Sequence, residues 1–390
     1  MCEISGEQGA TPFGDRLIGS YGGRRQGPLL LVVSALHGNE PSGVQASRAV
    51  LEQLEREAPE IMGEVLFLVG NTGAMARGVR FIDRDLNRIW TPEIVKVLRG
   101  GDGEIGRSSE SLEQNAILEL INTALPRAEG GAYLVDLHTS SADGRPFLTV
   151  GDTLRNRRFA RAVPLPKILG LEEQIDGSLL EYMNNLGMVT LGVEAGRHDD
   201  PFTVEIMAAV IRLVLLGAGM FRPEDASDAV VAHDLLMNSA RSMPGLTEIR
   251  HRHPIDPGDG FRMEAGFANF QPVRAGTLLA RDRHGEIRAG EDGLVFLPLY
   301  QGQGSDGFFL AREVRPFWMR LSAILRTLRI GRLLPLLPGI ARHRGRPGVL
   351  VVDTRIARWF PLDVLHLLGF RKLRKHGSLI LASRRKNDQA

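Results

Sequence analysis

The sequence predicts an α/β fold built on a mixed central sheet flanked by helices, and three observations predict it. Four short, mainly apolar runs, at residues 28–33, 64–69, 132–137 and 189–193, lack the polar alternation of a half-solvated strand and read as strands covered on both faces. Between them lie stretches whose apolar residues recur at helical spacing, the alternation of a βαβ chain. Three of the runs lead into a histidine or a carboxylate, and chemistry in open α/β sheets gathers at the carboxyl ends of strands.

Taken in order, residues up to about 26 are glycine-rich and should lead in through a short edge strand. The first buried run stops at His37 and offers His37 and Glu40, three residues apart, where the sheet opens into a loop. Residues 43–57 read as a helix with Val44, Ala46, Ser47, Val50, Leu51 and Leu54 on one face. The strand 64–69 ends in a Gly70-Asn71-Thr72-Gly73 loop, followed by Arg80 to Arg88, dense in charge. After a polar, glycine-rich loop at 100–109, residues 111–125 form a helix on Leu112, Ile117, Leu118 and Ile121. The strand 132–140 ends with His138 near its close, the strand 189–196 carries Glu194, and 204–216 is an apolar helix suited to packing on the sheet. From about residue 247 short strand-like pieces at 274–280, 286–288 and 293–298 alternate with glycine-rich turns. The expected division is an α/β domain over 1–240, a smaller β domain over 247–315 that caps the site, and a basic, partly helical tail over 316–390.

A chain of 390 residues exceeds a single small core, and its 43% hydrophobic and 24% charged fractions are those of a globular protein. Its single cysteine, Cys2, excludes an internal disulfide framework and a Cys-rich structural zinc site. There is no basic segment followed by an apolar run at the start, and no apolar stretch of the roughly 18 residues that span a bilayer, so a cytoplasmic protein is expected. The net charge of +2 hides an asymmetry: residues 311–390 hold 18 Lys+Arg against 4 Asp+Glu, or +14, leaving −12 for the first 310.

The chemistry rests on His37, Glu40, His138 and Glu194. A catalytic zinc takes three protein ligands and a water, and two histidines with one glutamate are an established set. The metal lowers the pKa of its water to about 7 and polarises a carbonyl, and a further carboxylate can carry the water's proton to a leaving amine. His37, Glu40 and His138 are therefore the candidate ligands of one Zn²⁺, and Glu194 the candidate general base and acid. Asp136, two residues before His138, reads either as a partner of a ligand imidazole or as a strand-end turn residue. Singly, each residue has a plainer reading: His-x-x-Glu arises by chance, a strand-end histidine is commonly structural, and Glu194 could cap a helix. Their joint placement at strand ends favours a site.

His37-Gly-Asn-Glu40, Arg84-Asp-Leu-Asn-Arg88, Asp136-Leu-His138 and Gly192-Val-Glu194-Ala-Gly196 resemble, in order and context, the succinylglutamate desuccinylase/aspartoacylase family, a branch of the zinc carboxypeptidase-like fold. The resemblance covers roughly residues 28–312, since Gly293-Leu-Val-Phe-Leu-Pro-Leu-Tyr300 and Gly307-Phe-Phe-Leu310 look like that family's carboxy-terminal part. It implies that one Zn²⁺ serves to hydrolyse the amide of a small N-acyl amino acid, N-acetyl or N-succinyl, giving a carboxylic acid and the free amino acid. By the same resemblance His37, Glu40 and His138 hold zinc and Glu194 activates water. Arg80 polarises the scissile carbonyl and steadies the oxyanion, while Asn87 and Arg88 hold the α-carboxylate. A planar guanidinium suits that last role, gripping a carboxylate through two parallel bonds.

Two departures bear on the substrate. Where aspartoacylase carries an arginine shortly before its catalytic glutamate, for the substrate's side-chain carboxylate, Glu181-Tyr-Met-Asn-Asn-Leu186 has none. A tyrosine near its carboxy-terminal end is replaced here by Phe308 or Phe309. A neutral or cationic amino acid then fits at least as well as an acidic one, for example N-acetyl diaminobutyrate, a substrate of some relatives.

Other signals carry less. Gly101-Asp-Gly-Glu-Ile-Gly106 and Gly302-Gln-Gly-Ser-Asp-Gly307 match G-x-G-x-x-G, but neither opens a helix within a βαβ unit, so both read as turns and no dinucleotide is expected. His251 and His253 could bind metal but read more plainly as a solvated loop, and for His198, close to Glu194 in sequence, a place in the pocket lining is the lesser reading. In the tail, Trp318, Leu321, Ile324, Leu325 and Leu328 share an apolar face with arginines around it. That pattern fits a helix docked on the acidic body or on a second copy in a homo-oligomer, and it also fits a membrane surface; no motif supports nucleic acid. Beside the deacylase, two further readings are a carboxypeptidase-like peptide hydrolase and an inactive metal-bearing scaffold acting through its basic tail.

Overall fold

In the computed structural model, which describes residues 16–100, 107–222, 228–357, 362–385 and 387–388, the chain is organised on β2 (Arg25–Ser34). Leu29 to Ser34 are 0–1% exposed, because helices cover both faces of this strand. Leu30 and Val32 face the helices Ser42–Glu57 and Phe202–Gly217, whereas Leu29, Leu31 and Val33 face the helix Ser109–Ala124 and Trp90. A strand dry on both sides needs apolar residues at every position, which is why the run shows no alternation.

β2 pairs in parallel with β3 (Met62–Val69) on one side and with β4 (Ala132–Ser140) on the other, and β4 pairs in parallel with β7 (Val189–Arg197). β1 (Leu17–Gly22) closes one edge antiparallel to β3. On the far side β5 (Phe147–Thr149) runs antiparallel to β7, and β6 (Lys167–Leu169) joins β5 to β8 (Leu246–Pro254) in parallel. The mixed sheet flanked by helices is thus present, with helix and strand boundaries within a few residues of those expected.

The region expected as a small β domain consists of β8, β9 (Arg262–Met263), β10 (Gln271–Val273), β11 (Leu278–Asp282), β12 (Gly285–Arg288), β13 (Gly293–Phe296) and β14 (Asp306–Glu313). Four of these strands extend the central sheet, whose order is β1-β3-β2-β4-β7-β5-β6-β8-β14-β13-β10; β12, β11 and β9 form a separate three-stranded sheet. The single strand expected over 274–280 is broken by a turn at Gly276, whose φ of 83° suits glycine.

The tail is more structured than expected. After the helix Pro316–Thr327 and a 3₁₀ segment Ile330–Leu336 come β15 (Ile340–Arg342), β16 (Val349–Asp353), β17 (Phe370–His376) and β18 (Leu379–Arg384). They form an antiparallel sheet with its own core of Leu334, Leu350, Leu365 and Ile380. β17 reads Phe-Arg-Lys-Leu-Arg-Lys-His, too basic to show the period-two apolar signal of a strand.

This module is held on the body by buried ion pairs. Arg326, 0% exposed, donates to Asp152 at 2.8 Å and to Asp388 at 3.2 Å. Arg157 reaches Asp152 at 2.5 Å, and Arg371 pairs with both Asp152 and Glu248. Burial alone would raise the Asp152 pKa, but Arg157, Arg326 and Arg371 hold it well below the usual carboxylate range. Its stabilising contribution is therefore complete above about pH 4, the unfolded value, and lost only as pH falls through the depressed folded one. Asp152→Ala strands buried guanidinium charge and should destabilise the protein by about 3–5 kcal/mol, read as a lowered denaturant midpoint.

Candidate metal centre and active site

The chain leaves β2 through Ala35, whose φ of 52° lies in the left-handed region few non-glycine residues occupy, and delivers His37 into a cleft at the sheet's carboxyl edge. Gly38 follows because a Cβ there would lie 2.2 Å from the Ala74 carbonyl carbon. Its N–H donates to the Arg80 carbonyl at 3.1 Å, packing the two loops together.

Glu40, 1% exposed, stands between the two imidazoles. Its Oε1 lies 2.9 Å from His37 Nδ1 and its Oε2 3.0 Å from His138 Nδ1, and the Thr139 N–H donates to Oε2 at 3.0 Å. The ring centroids are 5.0 Å apart, and one ligand atom from each of His37, Glu40 and His138 falls within 4.8 Å of the others. The far ring nitrogens are also tethered: His37 Nε2 to Asp85 Oδ1 at 3.1 Å and His138 Nε2 to Asp136 Oδ2 at 2.8 Å. An Nε2–H donated to a carboxylate leaves the Nδ1 lone pair to face a cation, the arrangement that fixes the tautomer of metal-binding histidines. Asp136 is thus an imidazole partner within β4 rather than a turn residue. Asp85 received no role from the sequence, although it lies in the charged 80–88 stretch and in the Arg84–Arg88 motif.

Electrostatics follow from this packing. Burial would raise the Glu40 pKa, but His37 and His138 hold it well below the carboxylate range. Burial opposes charge on His138, yet Asp136 and Glu40 outweigh it and keep its pKa well above that of free imidazole.

Glu194 comes to the site by strand register. The parallel pairing of β4 with β7 sets His138 opposite Glu194, and β5 sets Phe147 on its other side. Glu194 Oε2 is buried without a hydrogen-bond partner. Burial pushes the Glu194 pKa up to about 8, with Glu40 and Asp136 adding to the rise against the pull of His138 and Arg80.

The loop between them is held by two carboxylates. Glu110, 0% exposed, accepts the N–H groups of Ile82, Asp83 and Arg84 at 2.7–3.1 Å. In sequence it lies between the polar loop and the helix expected over 111–125, with no role assigned. Asp85 Oδ2 accepts Arg80 Nε and Nη2 at 3.3 and 3.1 Å, orienting the guanidinium. Asn87 Oδ1 accepts the Leu179 N–H at 2.9 Å, leaving Nδ2 on the His138 side at 3.5 Å from Nε2. Arg88 donates to Asp306 Oδ2 at 2.6 Å, and Asp306 also pairs with Arg252.

All seven residues singled out in the sequence, His37, Glu40, Arg80, Asn87, Arg88, His138 and Glu194, line one cavity of about 120 Å³. Its roof is the 297–306 loop. There Gln301 accepts from Asn39 at 2.8 Å, and Gln303 accepts the Arg80 N–H at 3.1 Å while donating to the Phe81 carbonyl at 3.2 Å. The Gly302–Gly307 motif is therefore a roof turn, and Asp306, which sequence reasoning passed over with it, is a cavity residue. The 101–106 motif lies outside the described residues. His198 joins the roof to β4, between Thr139 Oγ1 at 2.7 Å and Gln301 Oε1 at 3.3 Å. Phe309 lines the cavity, whereas Phe308 stacks on His253 at 5.0 Å. His251 and His253, expected in a loop, lie in β8. A larger cavity of about 550 Å³ sits at the seam with the tail, where Arg157, Arg312 and Arg371 are already paired with carboxylates.

A family model for the succinylglutamate desuccinylase/aspartoacylase catalytic domain matches residues 26–216. The chain is 25% identical over 270 residues to a succinylglutamate desuccinylase of Burkholderia mallei, 65% of this chain and 70% of that protein. It is 34% identical over 121 residues to an N-acyl-aromatic-L-amino acid amidohydrolase (carboxylate-forming) of Xenopus tropicalis, but this match spans only 30% of the chain and 36% of that protein. A solved structure of a succinylglutamate desuccinylase/aspartoacylase from Rhodobacter sphaeroides aligns with a TM-score of 0.54 at 20% identity, over 77% of this chain and 88% of that one, a likeness of fold.

A proton on His138 competes with any cation at Nδ1, so affinity for a divalent cation should rise with pH by about tenfold per unit below the His138 pKa. Titration calorimetry with divalent cations in buffers of different ionisation enthalpy should show proton release on binding; none would mean that this imidazole does not take the ion.

Proposed function

Because the chain belongs to the succinylglutamate desuccinylase/aspartoacylase family, we propose that it hydrolyses the amide bond of a small N-acyl amino acid to a carboxylic acid and the free amino acid. The observation that carries this reading is the convergence, in one roofed cavity, of a two-histidine, one-glutamate donor set with a further buried carboxylate in register beside it. His37, Glu40 and His138 would hold one Zn²⁺: two imidazole nitrogens and a carboxylate suit that ion, and the tethers to Asp85 and Asp136 turn the imidazoles toward it. When bound, zinc supplies Lewis acidity toward the substrate carbonyl and makes water a stronger nucleophile at neutral pH.

The remaining work falls to the chain's own groups. The raised Glu194 pKa would be drawn back down by a cation held by His37, Glu40 and His138; the ionised carboxylate accepts the proton of the attacking water and returns it to the amine nitrogen as the amide C–N bond breaks, and its unpartnered Oε2 suits that exchange. Arg80, oriented by Asp85, donates to the oxyanion as charge develops on the carbonyl oxygen. Asn87 and Arg88 hold the α-carboxylate, with Asp306 sharing the Arg88 guanidinium and moderating its pull on anions. The roof and the small cavity favour N-acetyl or N-succinyl amino acids over peptides. Glu172, 4% exposed and 3.0 Å from Arg385, lines the same cavity as Asp306. Both carboxylates are matched by arginines, Asp306 by Arg88 and Arg252 and Glu172 by Arg385, so the preference for a neutral or cationic amino-acid side chain over an acidic one rests on the lack of an arginine in 181–186.

Amine release from a panel of N-acetyl and N-succinyl amino acids should require zinc and stop on chelation. Glu194→Gln should lower kcat by about 10²–10⁴-fold while zinc content stays unchanged. Turnover that survives both chelation and Glu194→Gln would refute the mechanism. Asp306→Asn releases Arg88 from its ion pair and should lower KM several-fold with little change in kcat; a raised KM would assign Asp306 to substrate binding instead.

A further inference from the structure

The helix Pro316–Thr327 buries a mixed face. Ser322, 2% exposed, donates to the Leu367 carbonyl at 2.7 Å, the fully buried Arg326 binds Asp152, and Met319 and Leu325 pack on the cores beside them. Other apolar residues face outward: Phe317, Ile324 and Leu328 are 63%, 56% and 64% exposed and recur at helical spacing along one face. Trp318 sits against Phe317 with ring centroids 5.3 Å apart, and Leu333 and Leu336 in the next segment are 55% and 79% exposed. Six of the sixteen large exposed apolar side chains among the described residues thus fall within residues 317–336. Concentration of this kind marks a contact surface.

Charge decides what the surface contacts. Between Glu313 and Asp353 the sequence has eight arginines and no acidic residue, and Arg320 and Arg332 are exposed within the apolar stretch. Two copies meeting about a twofold axis would bring this patch against itself, arginine facing arginine. An anionic bilayer offers phosphates to the arginines and an apolar boundary to Phe317, Ile324 and Leu328, with Trp318 suited to the headgroup level. Among the described residues no helix is long and apolar enough to cross a membrane, so the contact is one of lying on the surface. We propose that residues 317–336 dock this protein on an anionic phospholipid surface.

Co-sedimentation of the full chain with vesicles tests this. Vesicles containing about one-third phosphatidylglycerol should bind it, phosphatidylcholine vesicles alone should not, and ~0.5 M salt should weaken binding at least about tenfold. The pairs Phe317→Ser/Leu328→Asp and Arg320→Glu/Arg332→Glu should each abolish binding while leaving the thermal transition and amine release intact. Equal binding to both vesicle types, or binding that survives both pairs, would overturn the proposal. So would a chain that ignores vesicles, whether it is a monomer or a dimer that Leu328→Asp dissociates.

Discussion

Burying the Glu40 carboxylate is the electrostatic constraint to which the site is fitted. An unbalanced charge in a dry cleft would cost several kcal/mol, and two imidazoles, one at each oxygen, offset it. Each imidazole is in turn steadied by a carboxylate behind it, Asp85 for His37 and Asp136 for His138. Asp85 then needs its own counter-charge, which Arg80 provides. The chain of alternating charge fixes rotamers and tautomers before any ligand arrives. It also accounts for Arg80 and Asp85 among the ionisable groups between residues 80 and 88, whereas Asp83 and Arg84 are exposed.

The sheet supplies the second requirement, convergence of residues far apart in sequence. His37 and His138 leave adjacent parallel strands, and register alone sets Glu194 beside His138. A shift of one residue in that pairing would turn Glu194 to the other face. The continuous apolar runs that specify the strands therefore specify the geometry of the chemistry as well.

Those features explain what was legible in the sequence. The central strands declared themselves through runs such as residues 28–33 because burial on both faces leaves no room for polar alternation. The site residues at their ends were legible because strand ends are where a parallel sheet exposes side chains to a cleft. Glu110, Asp85 and Asp306 were not, since their roles arise from contacts across loops that no local pattern encodes: a helix-start glutamate looks alike whether it caps a helix or gathers three backbone N–H groups. The tail strands were hidden for a different reason. Arginines in β17 occupy positions where apolar residues usually announce a strand, and Arg326 is buried because Asp152 awaits it 174 residues away. Long-range charge pairing leaves no periodic trace.

The continuity of β6, β8 and β14 with the catalytic strands has a mechanical consequence. The segment carrying the roof is hydrogen-bonded into the same sheet as the residues beneath it, so roof and floor share one backbone ladder. The loop between β13 and β14 is also tied down at its crest, where Gln301 holds Asn39 and Gln303 holds the backbone of Arg80 and Phe81. The cavity is thus bounded by covalent and hydrogen-bonded continuity with the sheet on one side and by amide side chains on the other.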